Sequence, residues 1–199
     1  MLAPGTLPAQ VPPAVLQITI ERVQAGGEAR YGELEERMAE TCSRLGCPNA
    51  YLALESVAGP KEVWWFVEYA DEADVARVAR AYAENAPLLA ALTELAALKK
   101  DITDPPVEHM TRLRGDAAEA PAWRVGLEPF VVIAPRAAVG AVFESGEHAI
   151  FTILAALSST DAERAAAELG AGARILSVQS AWSRPKDEWV DASPEIWRR

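Results

Sequence analysis

The chain has 199 residues, 19 of them basic and 29 acidic, for a formal net charge of −10; half the residues are apolar and 24% are charged. These proportions exclude collagen, a disordered tail and a membrane-embedded chain, and point to a globular fold. The acidic balance, with no basic run longer than a pair such as Lys99-Lys100, speaks against nucleic acid and anionic membrane surfaces as partners.

Residues 1–13 hold four prolines, lack a basic start and a continuous apolar run, and read as a flexible arm rather than a signal peptide. Leu16, Ile18 and Ile20 alternate with Gln17, Thr19 and Glu21, the period of a strand with one apolar face. After Gly26-Gly27, the spacing of Tyr31, Leu34, Met38, Cys42 and Leu45 predicts an amphipathic helix, stopped by Gly46 and Pro48. Cys42 and Cys47 match neither a CxxC redox pair nor a disulfide framework and are expected to be small buried residues at that helix end.

Two strands, 51–57 and 62–69, follow, joined by the turn Ala58-Gly59-Pro60-Lys61. Asp71 is placed to cap a helix with Asp74 at its third position. Asn85-Ala86-Pro87 ends that helix and starts another reaching Lys99-Lys100. With a strand at 107–114, the order is β-α-β-β-α-β, the ferredoxin-like pattern.

The stretch 116–123 reads as a linker, dividing a ferredoxin-like unit (14–115) from a second, partial one (124–199). In the second unit, strands are expected at 130–134, 139–144 and 149–157. Thr160-Asp161-Ala162-Glu163 fits a capping box opening a helix to Leu169, and a last strand is expected at 174–182. The resulting β-β-β-α-β order is a degenerate repeat of the first half without its first helix. Trp189 and Trp197 imply a tail packed down on the body.

A four-residue hairpin turn pairs Val57 with Glu62, Glu55 with Trp64, Ala53 with Phe66 and Tyr51 with Glu68. One face of the sheet is then apolar, suited to helices. The other mixes aromatics with carboxylates, as expected of a partly polar cavity beneath a second sheet. Gln17, Thr19 and Glu21 are candidates to line the same cavity, and His109 joins it if its strand presents that side.

In these elements the chain resembles the dimeric α/β-barrel superfamily, whose members include antibiotic-biosynthesis-type monooxygenases, haem-degrading oxygenases and stress-responsive barrel proteins. The strand carrying Leu16, the helix carrying Tyr31, the hairpin from Tyr51 to Tyr69 and the Asp71-capped helix carry the resemblance. It implies an α+β fold in which two ferredoxin-like sheets pack face to face with a cavity between. The barrel would close within one chain as an internal pseudo-dimer or across a homodimer.

Tyr51, Glu55, Trp64, Phe66, Glu68 and His109 are the ligand-binding candidates; Glu55 and Glu68 in an aromatic cavity suit proton transfer. Two histidines and two cysteines supply no zinc set, and neither a metal nor another cofactor is expected. Ser145, Glu144, Glu147 and His148 gather triad residue types without a G-x-S-x-G elbow and read as a solvated turn. Gly170-Ala171-Gly172 follows a helix, the wrong order for a phosphate loop, and reads as a helix stop. The functional expectation is a cytoplasmic barrel protein binding a small molecule. The alternatives are a cofactor-independent monooxygenase or isomerase acting on an aromatic substrate, and a structural oligomerisation module.

Overall fold

The computed structural model describes residues 10–115, 120–135, 140–146 and 149–198. Most of the expected arm, half of the expected linker, and the Glu147-His148 pair lie outside the described residues.

Eight antiparallel strands close into a barrel. The first half supplies β1 (Val15–Arg22), β2 (Leu52–Ser56), β3 (Glu62–Tyr69) and β4 (Val107–Leu113). The second supplies β5 (Phe130–Ala134), β6 (Ala141–Ser145), β7 (Ile150–Ala156) and β8 (Arg174–Val178). Around the barrel they run β1-β3-β2-β8-β5-β7-β6-β4. The first half reads β4-β1-β3-β2 and the second β8-β5-β7-β6, so each has the 4-1-3-2 order of a ferredoxin-like sheet. The repeat expected from the sequence is therefore present in the topology, and β2–β8 and β4–β6 pairing closes the barrel within one chain. Closure removes every exposed sheet edge.

The helices follow local chemistry. In α1 (Glu28–Leu45) the residues spaced by three and four face the sheet, and Gly46, at φ 76°, ends it in the left-handed conformation that disfavours a Cβ. Asp71 accepts a hydrogen bond from the Asp74 N–H and opens α2 (Glu72–Glu84); Asn85 accepts from Leu88 and opens α3 (Ala86–Lys99). The helix α4 (Ser159–Leu169) is capped by Ser158, which accepts from the Asp161 N–H, two residues ahead of the expected Thr160 box. The last strand stops at Val178, short of the expected 182, because the chain turns so that the Trp182 and Ser183 N–H groups reach the Gln179 carbonyl. The tail forms α5 (Asp187–Ala192) and α6 (Pro194–Trp197), with Trp189 and Trp197 stacked and buried.

The hairpin register differs from the sequence expectation by one residue. Leu52 pairs with Phe66, Ala53 with Trp65, Leu54 with Trp64 and Glu55 with Val63. The Ser56 hydroxyl accepts the Glu62 N–H and donates to the Pro60 carbonyl, which draws Val57 and Lys61 into a five-residue loop. A slip of one residue exchanges the two faces of β2.

The barrel interior is consequently apolar. Leu16, Ile18, Leu52, Leu54, Trp64, Phe66, Val131, Ile133, Phe143, Phe151, Ile153 and Leu176 fill it, joined by Trp123, Trp189 and Trp197. The expected polar cavity between the sheets is thus occupied by side chains. On the outer face, Ala53, Val63 and Trp65 meet Tyr31, Leu34 and Leu95 from α1 and α3, while α4 covers Val132 and Ala156. Among the described residues, no helix is long and apolar enough to cross a membrane.

Candidate functional site

The strand pleat sends Thr19 and Glu21 of β1, and Trp65 and Val67 of β3, outward beneath α1 and α3. This corrects the expectation that Gln17, Thr19 and Glu21 share a face with Trp64 and Phe66: Leu16 and Ile18 do so instead. Gln17 accepts from the Tyr69 hydroxyl on the outer face.

Glu35 occupies the buried stripe of α1, one turn after Tyr31. Lys99 continues the Leu88-Leu92-Leu95 stripe of α3. The three elements thereby bring two carboxylates and an ammonium together out of water. Lys99 Nζ lies 2.8 and 2.9 Å from the two Glu21 oxygens and 2.7 Å from Glu35 Oε1. Tyr31 donates its hydroxyl to Glu21, and the Trp65 indole N–H donates to the same carboxylate at 3.1 Å. Glu35 is 2% exposed and Lys99 7%, so neither charge is water-screened.

Burial pushes the Glu35 carboxyl above the usual carboxylate range; Lys99 opposes this and Glu21 reinforces it. For Lys99, burial lowers the pKa, but Glu35 and Glu21 together carry it above its ordinary value. Tyr31 is raised by burial and then by the two carboxylates. Burial thus works against the charge of Glu35, while Lys99 remains cationic.

The cluster forms one wall of a cavity of about 250 Å³ between the sheet and the helices. Met38, Cys42, Tyr51, Trp65, Val67, Tyr82 and Leu92 supply its apolar and aromatic walls. Tyr51 meets Trp65 edge to face at 5.9 Å. Asn49 also lines it, and its Oδ1 is buried without a hydrogen-bond partner. Cys42 and Cys47 are joined by a disulfide, rather than standing as separate buried thiols, and this bond ties the end of α1 to the segment carrying Asn49 and Tyr51. Backbone bonds between Tyr51 and Arg184, and the Arg184 guanidinium on the Asn49 carbonyl at 2.7 Å, hold that segment from the other side.

The six residues singled out from the sequence are dispersed. Tyr51 alone among them lines this cavity. Glu55 faces outward beside its ion-pair partner Lys61 at the hairpin. Trp64, Phe66 and His109 belong to the barrel interior: Phe151 sits between Trp64 at 6.3 Å and His109 at 5.1 Å, and His109 Nδ1 is buried without a partner. Glu68 lies at one end of the barrel, accepting from the Trp123 indole at 2.7 Å and from Lys186 at 2.6 Å, so the expected Tyr51–Glu68 contact does not form. A cavity of about 750 Å³ opens there, but the Glu68 carboxylate is already paired. Among the described residues, no group of three His, Cys, Asp or Glu side chains is arranged to hold a metal ion.

The sequence reading does not select Glu35 and Lys99, and it names Glu21 only as a candidate to line the cavity on the other face of the sheet. Signals existed for two of them: a carboxylate within the buried stripe of α1 and a lysine within the buried stripe of α3. For Glu21 the strand alternation gave only a face, and that face was taken for the wrong side of the sheet.

No protein-family model matches the sequence, and no curated protein matches it. Similar solved structures include a provisionally assigned monooxygenase of Fusobacterium nucleatum subsp. nucleatum, with 10% identity and a TM-score of 0.48, covering 89% of this chain and 96% of the other. An anthrone oxidase-like protein has 12% identity and a TM-score of 0.45, covering 83% and 92%. A chlorite dismutase of Candidatus Nitrospira defluvii has 8% identity and a TM-score of 0.46, covering 91% and 95%. The strand order itself, two 4-1-3-2 sheets closed on each other, is that of the dimeric α/β-barrel fold, here completed within one polypeptide.

Proposed function

We propose that this protein binds a small organic molecule in the cavity between the first sheet and helices α1 and α3. The observation that carries this reading is the buried Glu21–Lys99–Glu35 cluster bordering an aromatic-walled cavity, with the Asn49 Oδ1 left unpaired beside it. Apolar walls with a few convergent polar groups are the usual makeup of a ligand pocket, and a buried, raised carboxyl is enriched at functional sites. A structural ion pair alone leaves the unpaired amide oxygen and the open volume without a role.

The test is occlusion. Met38→Trp and Leu92→Trp fill the cavity from two different helices. Small aromatic probes are followed by NMR chemical-shift changes at Trp65 and Tyr51. Binding to the native protein and its loss in both folded variants is the expected result. Shifts that persist in both variants, or that fall instead on Trp64 and His109, place the ligand elsewhere and refute the reading.

A second reading, proton transfer to or from the bound molecule, draws support from the Glu35 carboxyl, which burial disposes to carry a proton more readily than a solvated one. It predicts that Glu35→Gln abolishes solvent deuterium incorporation into a turned-over substrate even at saturating substrate concentration. Undiminished incorporation in that variant rules Glu35 out.

A further inference from the structure

We infer that the cavity selects an organic cation, a protonated amine or a comparable nitrogen base, in preference to a neutral or anionic ligand of the same shape. This rests on the small-molecule reading above and concerns the charge of the ligand.

The polar inventory of the wall is one-sided. Glu21 and Glu35 bring two negative charges and Lys99 one positive charge. Lys99 is fully engaged, since its three close contacts are all carboxylate oxygens. The ammonium also lies over the Tyr31 ring at 5.3 Å. The Trp65 indole N–H and the Tyr31 hydroxyl are likewise spent on Glu21. Arg184, the next cation, binds the Asn49 carbonyl. What remains for a ligand is an acceptor, the unpaired Asn49 Oδ1, the Thr19, Tyr51 and Tyr82 hydroxyls, and the surplus carboxylate charge. Around them stand Tyr51, Trp65 and Tyr82, whose ring faces attract cations. An anion meets two carboxylates and, as donors, only the uncharged Thr19, Tyr51 and Tyr82 hydroxyls, and a neutral molecule leaves the surplus charge uncompensated.

Glu35 makes the selection pH-dependent. Facing it are Lys99 from α3, Glu21 from β1, Tyr31 from α1 and Tyr51 ahead of β2, and Tyr82 of α2 lies beyond Tyr51. Lys99 stays charged and the phenols stay neutral, while burial disfavours the charged form of Glu35, which therefore responds to a change in local charge. Entry of a cation favours its ionised form, and binding releases a proton wherever Glu35 was protonated beforehand.

Three probes of one shape test this by calorimetry and NMR: benzylammonium, benzyl alcohol and benzoate. The expected order is benzylammonium tightest by about tenfold over benzyl alcohol, the ratio given by about 1.4 kcal/mol, with benzoate weakest. The benzylammonium preference is expected to weaken as pH falls and Glu35 takes up a proton. Proton release on binding of benzylammonium, and not of benzyl alcohol, is expected to grow over the same range, read from binding heats in two buffers of different ionisation enthalpy. In Glu35→Gln the benzylammonium preference collapses while benzyl alcohol affinity holds. Benzoate or benzyl alcohol binding as tightly as benzylammonium in the native protein overturns the charge assignment and leaves the pocket reading intact. Failure of all three to shift Trp65 or Tyr51 overturns the pocket reading, and this inference with it. The probe series on native protein decides the matter even if Glu35→Gln does not fold.

Discussion

Replacing Lys99 with Met tests whether the buried charge cluster has the energetics its geometry implies. The substitution keeps an unbranched apolar stem and removes the ammonium from contacts of 2.8, 2.9 and 2.7 Å with Glu21 and Glu35. All three side chains are at most 11% exposed, so solvent screening offers little relief. Removing one partner of a buried pair strands the other and costs about 3–5 kcal/mol. For a chain of this size that is a loss of roughly 6–20 °C in Tm.

The sign of the pH dependence follows from the two pKa shifts. Glu35 is raised above 4.5 in the folded state, so its own contribution to stability falls as pH rises from 4.5 through its folded value. Lys99 is raised above 10.5, so the stability it adds is present across neutral pH and is lost only as pH climbs through its folded value. Without Lys99, Glu35 rises further. The cost of Lys99→Met is therefore largest near neutral pH and shrinks in acid, where Glu35 is protonated. Urea unfolding of both proteins at about pH 7 and about pH 5 measures this. A cost below about 1 kcal/mol at neutral pH, the level of an exposed pair, or a cost independent of pH, refutes the burial argument.

Leu54→Ala and Glu55→Ala together check the hairpin register. Leu54 faces Trp64 in the barrel interior, so its loss should cost about 2–5 kcal/mol. Glu55 pairs with Lys61 at the rim and should cost no more than about 1 kcal/mol in chemical denaturation; equal costs contradict the register. The Cys42–Cys47 bond closes a separation of 5 residues, and the chain-entropy relation gives about 2 kcal/mol for its removal. Cys42→Ser with Cys47→Ser should lower Tm, whereas a melt unchanged from that of the oxidised native protein would show the bond to be absent or idle. Gly126 has φ +84°, and a methyl there would lie 2.6 Å from the Trp189 ring. Gly126→Ala should cost at least about 1–3 kcal/mol by overpacking and loosen the tail, read as faster proteolysis of α5 and α6. Unchanged proteolysis would mean that the Trp189 contact does not hold the tail.

The element order was legible because it is written in neighbouring residues. The Leu16-Ile18-Ile20 alternation, the Tyr31-to-Leu45 stripe and the Asp71 and Asn85 caps each depend on a few residues of adjacent chain. The matching halves followed from that order, and with them the barrel. Which face of β2 lies inside was not legible, because it depends on one hydroxyl. Ser56 captures the Glu62 N–H, lengthens the loop by one residue and reverses every side chain of the strand.

The site was still less legible. Glu21, Glu35 and Lys99 lie 14, 64 and 78 residues apart in pairs, on a strand and two helices whose meeting is a product of packing. Each alone reads as a surface charge, and only their joint removal from water makes them a cluster. The sequence by itself determined the elements, their order and the repeat, since local periodicity and capping are properties of short segments. The tertiary structure alone decided the register, the filling of the barrel by three distant tryptophans and the placing of charge under the helices. Those depend on side chains that meet only after the chain has closed on itself.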